Sequence, residues 1–248
     1  MSFDVEQYVH YRIANAQLLS YPFPHFYLQD IFPPDWYQEL IARLPPQEYY
    51  VRLDETGSVT KGAYPERFVC TLSDAMRAEE TEEGEPGPWR EIANIMGRPQ
   101  FAHRVLGLFN DAVARRFGAK SEVDFEVDCR LVRDFSNYAI APHTDSPRKI
   151  VSLLFYMPAD ESLKSLGTSL YVPNDPDLHC DGRRHHSFSD FKKVMTASYM
   201  PNSLFGFFKT DQAFHGVERI ELARVQRDSM LYNINVRKLA PRASAAPA

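Results

Sequence analysis

Apolar residues along the chain recur at two different spacings, and the change comes near residue 120. Before it the spacing is helical. Over 35–44, Trp36, Leu40, Ile41 and Leu44 share one face behind Asp35, with Gln38 three residues on. That predicts a capped amphipathic helix, with Asp35 as the cap and Pro45-Pro46 as the stop. Over 99–117, Phe101, Val105, Leu108, Phe109, Ala112 and Val113 make one apolar face, and Gly118 supplies a C-terminal stop. Between 54 and 88, Gly, Pro and acids, including Glu79-Glu80 and Glu82-Glu83, interrupt any periodicity. This predicts a long loop, either a lid or a disordered segment.

From residue 121 the texture becomes short runs of Val, Ile, Leu, Phe and Tyr parted by turn residues. Strands are predicted over 125–132, 149–157, 168–172, 203–208, 213–217 and 229–236. Many short strands without interleaved helices give a mainly β chain with N-terminal α, folded as a sandwich or barrel-like jelly roll. The expected organisation is one catalytic domain over 1–248: a helical buttress with its loop over 1–120, a β core over 121–238 and a flexible tail over 239–248. No internal repeat is present.

Composition narrows the function classes. Hydrophobic residues make up 44% and charged residues 25%, the balance of an ordinary globular protein. Net charge is −5, which disfavours nucleic acid as partner because non-specific affinity rests on clustered Lys and Arg. No run is long and apolar enough to span a bilayer, and the N-terminus does not read as a secretory signal. Cys70, Cys129 and Cys180 are odd in number and widely spaced, so neither a disulfide framework nor a zinc ribbon is expected. A cytoplasmic location is the expectation, with a homodimer one option for assembly.

The candidate chemistry lies in the β half. His143 and Asp145 stand two apart, so on an extended backbone both project to one side. A third ligand candidate, His215, sits among small and apolar neighbours in Ala213-Phe214-His215-Gly216-Val217. Two imidazoles and a carboxylate occupy one face of an octahedron and leave three positions open, the arrangement of non-haem Fe(II) oxygenases. A closed structural site would use four ligands. Further on, Arg227 and Ser229 share a strand face by the period-two rule, so a guanidinium fork and a hydroxyl can converge on one carboxylate. Arg219 and Arg224 are alternatives in a predicted turn.

The order His143-Thr144-Asp145, then His215-Gly216, then Arg227-Asp228-Ser229 resembles that of the Fe(II)/2-oxoglutarate-dependent dioxygenases. The likeness covers about 125–238, and Ser152 to Met157 and Gly167 to Tyr171 are further landmarks. It implies a double-stranded β-helix (a cupin-like jelly roll) buttressed by helices. It also implies Fe(II) on His143, Asp145 and His215, with 2-oxoglutarate held at its distal carboxylate by Arg227 and Ser229. Tyr138 is a further candidate for binding this co-substrate. Family chemistry implies use of O₂, with succinate and CO₂ as co-products and hydroxylation of an unactivated C–H. Retention of Asp145, where related halogenases carry a small residue, favours hydroxylation. The family's Gly-Gly-x-Leu pattern stands here as Gly167-Thr168-Ser169-Leu170, so the substrate wall differs.

The substrate expected is a small biosynthetic intermediate, with a peptidyl, prolyl-type substrate as the alternative. A cupin-like binding protein or isomerase that does without 2-oxoglutarate is the alternative of another class. Arg130 and Tyr156 are candidate substrate contacts, although aromatics and Arg in a barrel more often pack or pair. Arg148 and Lys149 are expected to face solvent. His179, Cys180, His185 and His186 form a second metal-like tract in what reads as a surface insertion, and His10, His25 and His103 read as structural.

Overall fold

The computed structural model describes residues 4–79, 87–118, 123–182 and 184–237. Helices come first: α1 (Val5–Ala14), α2 (Pro34–Ala42), α3 (Leu72–Ala78), α4 (Pro88–Gly97), α5 (Pro99–Leu108) and α6 (Asn110–Phe117). Strands β1 (His25–Gln29), β2 (Val51–Arg52) and β3 (Arg67–Thr71) run among them. The β half holds β4 (Phe125–Phe135), β5 (Ile140–His143), β6 (Lys149–Tyr156), β7 (Thr168–Pro173), β8 (Phe191–Ala197), β9 (Ser203–Phe208), β10 (His215–Val217) and β11 (Gln226–Val236).

Two antiparallel sheets form the core of the molecule. The larger runs β1-β9-β6-β11-β4-β3-β2 and the smaller β5-β10-β7-β8. On the larger sheet, alternation sends Leu153, Phe155, Met230, Tyr232 and Ile234 to the side covered by helices. There they meet Trp89, Ile92 and Met96 of α4 and Phe101 and Val105 of α5, with Phe101 edge-on to Tyr232 at 5.0 Å. Burying each such side chain contributes about 1.5–3 kcal/mol, so this layer supplies most of the driving force. The opposite face of the same strands carries Asp134, Ser152, Arg227 and Ser229, all buried. Polar residues therefore line the face turned away from the helices.

Several sequence expectations are corrected in detail. Asp35 does not cap its helix: α2 begins at Pro34 with Pro33 in the cap position, and Asp35 lies in the first turn. Proline lacks the N–H that a cap would satisfy, and an acid in the first turn complements the helix dipole instead. The single helix over 99–117 is two, α5 and α6, broken at Phe109 (φ −98°, ψ 21°). The break keeps Phe101, Val105 and Phe109 all buried in one core. The loop over 54–88 contains β3 and α3, whose alternation is masked because Arg67 points inward to a buried carboxylate. Residues 80–86 and the tail over 239–248 lie outside the described residues. Among the described residues, no helix is long and apolar enough to cross a membrane.

Candidate metal centre

His143 ends β5 and His215 opens β10, and the antiparallel register places them directly opposite each other. Their rings lie 4.4 Å apart. Gly216 makes this approach possible, since a Cβ there would stand 2.6 Å from the carbonyl oxygen of Ile140 on the facing strand. Asp145 follows two residues after His143. One ligand atom from each of His143, Asp145 and His215 falls within 4.8 Å of the others, so the three could hold one metal ion. Among the described residues no other set of three or more His, Cys, Asp or Glu gathers in this way.

Local hydrogen bonds set the chemistry of each ligand. Nδ1 of His143 faces the carbonyl of Ala141 at 2.9 Å, and Nδ1 of His215 faces that of Ala213 at 3.0 Å. A carbonyl only accepts, so both Nδ1 atoms carry the proton and both Nε2 lone pairs are left for a metal. Burial pushes both imidazole pKa values down, and for His143 the neighbouring His215 adds to it. Burial acts to raise the Asp145 pKa, but Lys149, His215 and His143 together hold it well below the usual carboxylate range. The site therefore presents two neutral imidazoles and one carboxylate at neutral pH, the donor set an oxygenase iron requires. Ser152 Oγ donates to Asp145 Oδ2 at 2.6 Å, and Lys149 Nζ donates to Oδ1 at 2.9 Å.

Deeper between the sheets lies a buried charge cluster. Asp134 on β4 accepts both Nε and Nη2 of Arg67, at 2.7 and 2.9 Å, and Nη1 of Arg227 at 2.8 Å. Arg227 Nε donates to the carbonyl of Leu166, but Nη2 is buried without a partner among the described residues. The hydroxyl of Tyr138 is likewise buried and finds no partner among the described residues, while the guanidinium of Arg67 lies 4.2 Å above its ring. Two guanidiniums against one carboxylate leave this cluster one positive charge in excess. A buried excess charge with a free donor is costly unless an anion completes it.

The remaining sequence candidates fall as follows. Ser229 is buried on the same face of β11 as Arg227, opposite Val132 and Tyr156. Arg130 is half-buried and pairs with Asp128 at 2.7 Å. Tyr156 is fully buried, and its hydroxyl bonds Thr168 at 2.8 Å, bracing the two sheets together. Arg219 bonds Asn137 at the exposed surface, and Arg224 lies in the same exposed loop with a positive φ of 59°. Arg148 pairs with Glu126 in solvent as expected, but Lys149 does not face solvent freely; it is held at Asp145.

Of the tract His179, Cys180, His185 and His186, the first two and His186 line one pocket, but among the described residues the tract forms no set of three ligand atoms close enough to share a metal. Instead the insertion that carries it folds back onto the metal loop. The His185 ring stacks on His143 at 4.7 Å and 17°, and its nitrogens lie 3.2 Å from the hydroxyl of Tyr64. Gly182, at φ +88°, passes so close to the backbone of Asp145 that a Cβ would collide with it. Lys209, fully buried, ties Thr144 Oγ1 and the carbonyl of Cys180 to Asp211. Arg67, Tyr64 and Asp134 were not singled out from the sequence, Ser152 only as part of a strand, and His185 only within the second metal-like tract. The available signal was charge inside apolar runs, as in Leu131-Val132-Arg133-Asp134-Phe135.

No family model matches the sequence, and no curated protein matches it. Solved structures do. One is the non-haem, α-ketoglutarate-dependent epimerase SnoN from nogalamycin biosynthesis, at a TM-score of 0.51 and 12% identity, covering 93% of this chain and 80% of that one. Another is a prolyl hydroxylase from Trichoplax adhaerens, solved with a hypoxia inducible factor peptide fragment. It scores 0.50 at 10% identity, covering 93% of this chain and 89% of that one. The chain has the fold of the 2-oxoglutarate-dependent oxygenases. Its two sheets are thus the two walls of a double-stranded β-helix.

Proposed function

We propose that this chain is an Fe(II)- and 2-oxoglutarate-dependent oxygenase that hydroxylates an unactivated C–H of a small molecule. The observation that carries the reading is a pairing of two features on one inner face. A His-Asp-His triad offers free Nε2 atoms and an ionised carboxylate, and deeper in lies a buried cationic cluster lacking one negative charge. His143, Asp145 and His215 would hold the metal. Arg227 Nη2, with Ser229 and Tyr138 beside it, would take the distal carboxylate of the keto acid. When bound, the metal and keto acid supply O₂ activation, giving succinate and CO₂ as co-products.

The residues of the chain do the rest. Leu166 and Asp134 fix two arms of the Arg227 fork, so the third is oriented before any ligand arrives. Tyr156, Tyr199 and Phe205 wall the interior and exclude water, which strengthens each charge-assisted bond there. His185 and Tyr64 cover the outer side of His143. This narrows the approach to the ligand face and favours a small substrate over a folded protein. Likeness in fold to a prolyl hydroxylase supports the alternative, a peptidyl substrate.

The test uses Fe(II)-loaded protein. Anaerobic addition of 2-oxoglutarate should give a visible charge-transfer band, and small-molecule and peptide libraries should then be compared for substrate-dependent succinate. A protein that binds metal yet shows no band, and the same metal affinity with and without keto acid, would instead be a cupin-like binding protein or isomerase.

A further inference from the structure

The two contacts to Asp145 differ in kind. Ser152 is buried on β6, its hydroxyl is neutral, and its bond to Oδ2 is compatible with a cation at the other oxygen. Lys149 opens the same strand with its side chain about a quarter exposed, so its ammonium can leave for solvent, and it occupies Oδ1. A divalent ion drawn to that oxygen would meet a positive charge already in place. Like charges a few ångströms apart in a partly buried site repel strongly.

From this we propose that Ser152 and Lys149 are opposed positioning residues for the metal ligand Asp145. Ser152 aims the carboxylate at the ion, whereas Lys149 stands in for the ion when it is absent and is displaced on loading. The inference rests on the reading of the triad as a metal centre. Its consequence is that the two residues act on metal affinity with opposite sign. Ser152 raises affinity by fixing the carboxylate, as outer partners of metal ligands do. Lys149 lowers it by competing, which keeps the empty triad electrically balanced and folded while leaving the ion exchangeable.

The experiment is a calorimetric titration of the metal-free protein with Ni(II), an oxidation-stable probe, at pH 7. Wild type is compared with Lys149→Met, Lys149→Gln, Ser152→Ala, Ser152→Thr and His215→Ala. Thermal unfolding of each metal-free variant checks the fold. Both Lys149 variants should bind Ni(II) about tenfold more tightly. Ser152→Ala should bind roughly tenfold more weakly, and Ser152→Thr, which keeps the hydroxyl, should recover wild-type affinity. Lys149 variants that bind equally or less tightly, in a protein where His215→Ala abolishes binding, would overturn the proposal alone. Equal Ni(II) affinity in wild type and His215→Ala would overturn the metal-centre reading, and this proposal with it.

Discussion

Arg227 donates Nη1 to Asp134 at 2.8 Å while Nη2 of the same guanidinium, also buried, has no partner among the described residues. With Nε on the carbonyl of Leu166, two arms of the fork are thus spent on the protein and the third is left over. Replacing Arg227 with Lys keeps the charge but loses the planar fork. The affinity for 2-oxoglutarate, read from the anaerobic charge-transfer titration, should fall by about 10–100-fold, the worth of a charge-assisted bond. Fe(II) affinity should change only a few-fold. Unaltered keto-acid affinity would remove Arg227 from the role.

Asp134 balances two buried cations, so Asp134→Asn keeps the shape and removes the compensation. The expected loss of stability is about 3–5 kcal/mol, measured by urea unfolding of the metal-free protein. Adding Arg67→Met to that variant should restore part of the loss, because one uncompensated charge is then gone. A double variant no more stable than Asp134→Asn would show that the cluster is not limited by charge.

Acid should weaken the metal-free protein in two windows. His143 and His215 are depressed in the folded state, so below about pH 6.5 the unfolded chain binds protons that the folded one refuses. Stability is therefore lost as pH falls through that value. Asp145 is also depressed, so its contribution is present above about pH 3.8 and fades as pH falls further. His143→Ala should shrink the upper window in a pH series of unfolding midpoints, His215 keeping the remainder, while Lys149 and His215 sustain most of the lower one.

Gly182→Ala tests whether the insertion is seated on the metal loop. The substitution meets a positive φ of 88° and the backbone of Asp145 together. A destabilisation of about 1–3 kcal/mol is expected from the backbone strain, accompanied by a loss of Ni(II) affinity. A variant with normal metal affinity would show that the insertion merely rests nearby.

The core strands were legible because they are long, apolar and bounded by turn residues; β9 runs over Ser203–Phe208 as expected. Strands that the sequence hides do so for nameable reasons. β5 contains Pro142 on an edge, β8 carries Lys192 and Lys193 on an edge, and β3 points Arg67 inward. His143 and Asp145 could be read because H-x-D spacing needs only one extended backbone, and His215 because small and apolar neighbours flank it. Their supports could not: Arg67 meets Asp134 through pairing of strands far apart in sequence, and Lys149 and Ser152, though only four and seven residues beyond Asp145, reach it through a turn between β5 and β6 that no periodicity marks. His185 was judged a surface residue from its polar surroundings, and only the buried Lys209 tether shows why that segment returns to the centre.

β10 is three residues long, and it suspends His215 opposite His143 by pairing alone. Side chains on a strand change sides with every step, so a slip of one position would swing the imidazole outward and offer the hydrogen of Gly216 in its place. Misfolding of that short strand would leave the shell of the protein intact and its centre blank. On the proposed reading, correct assembly of this chain is therefore better judged by whether it captures an ion than by whether it is soluble.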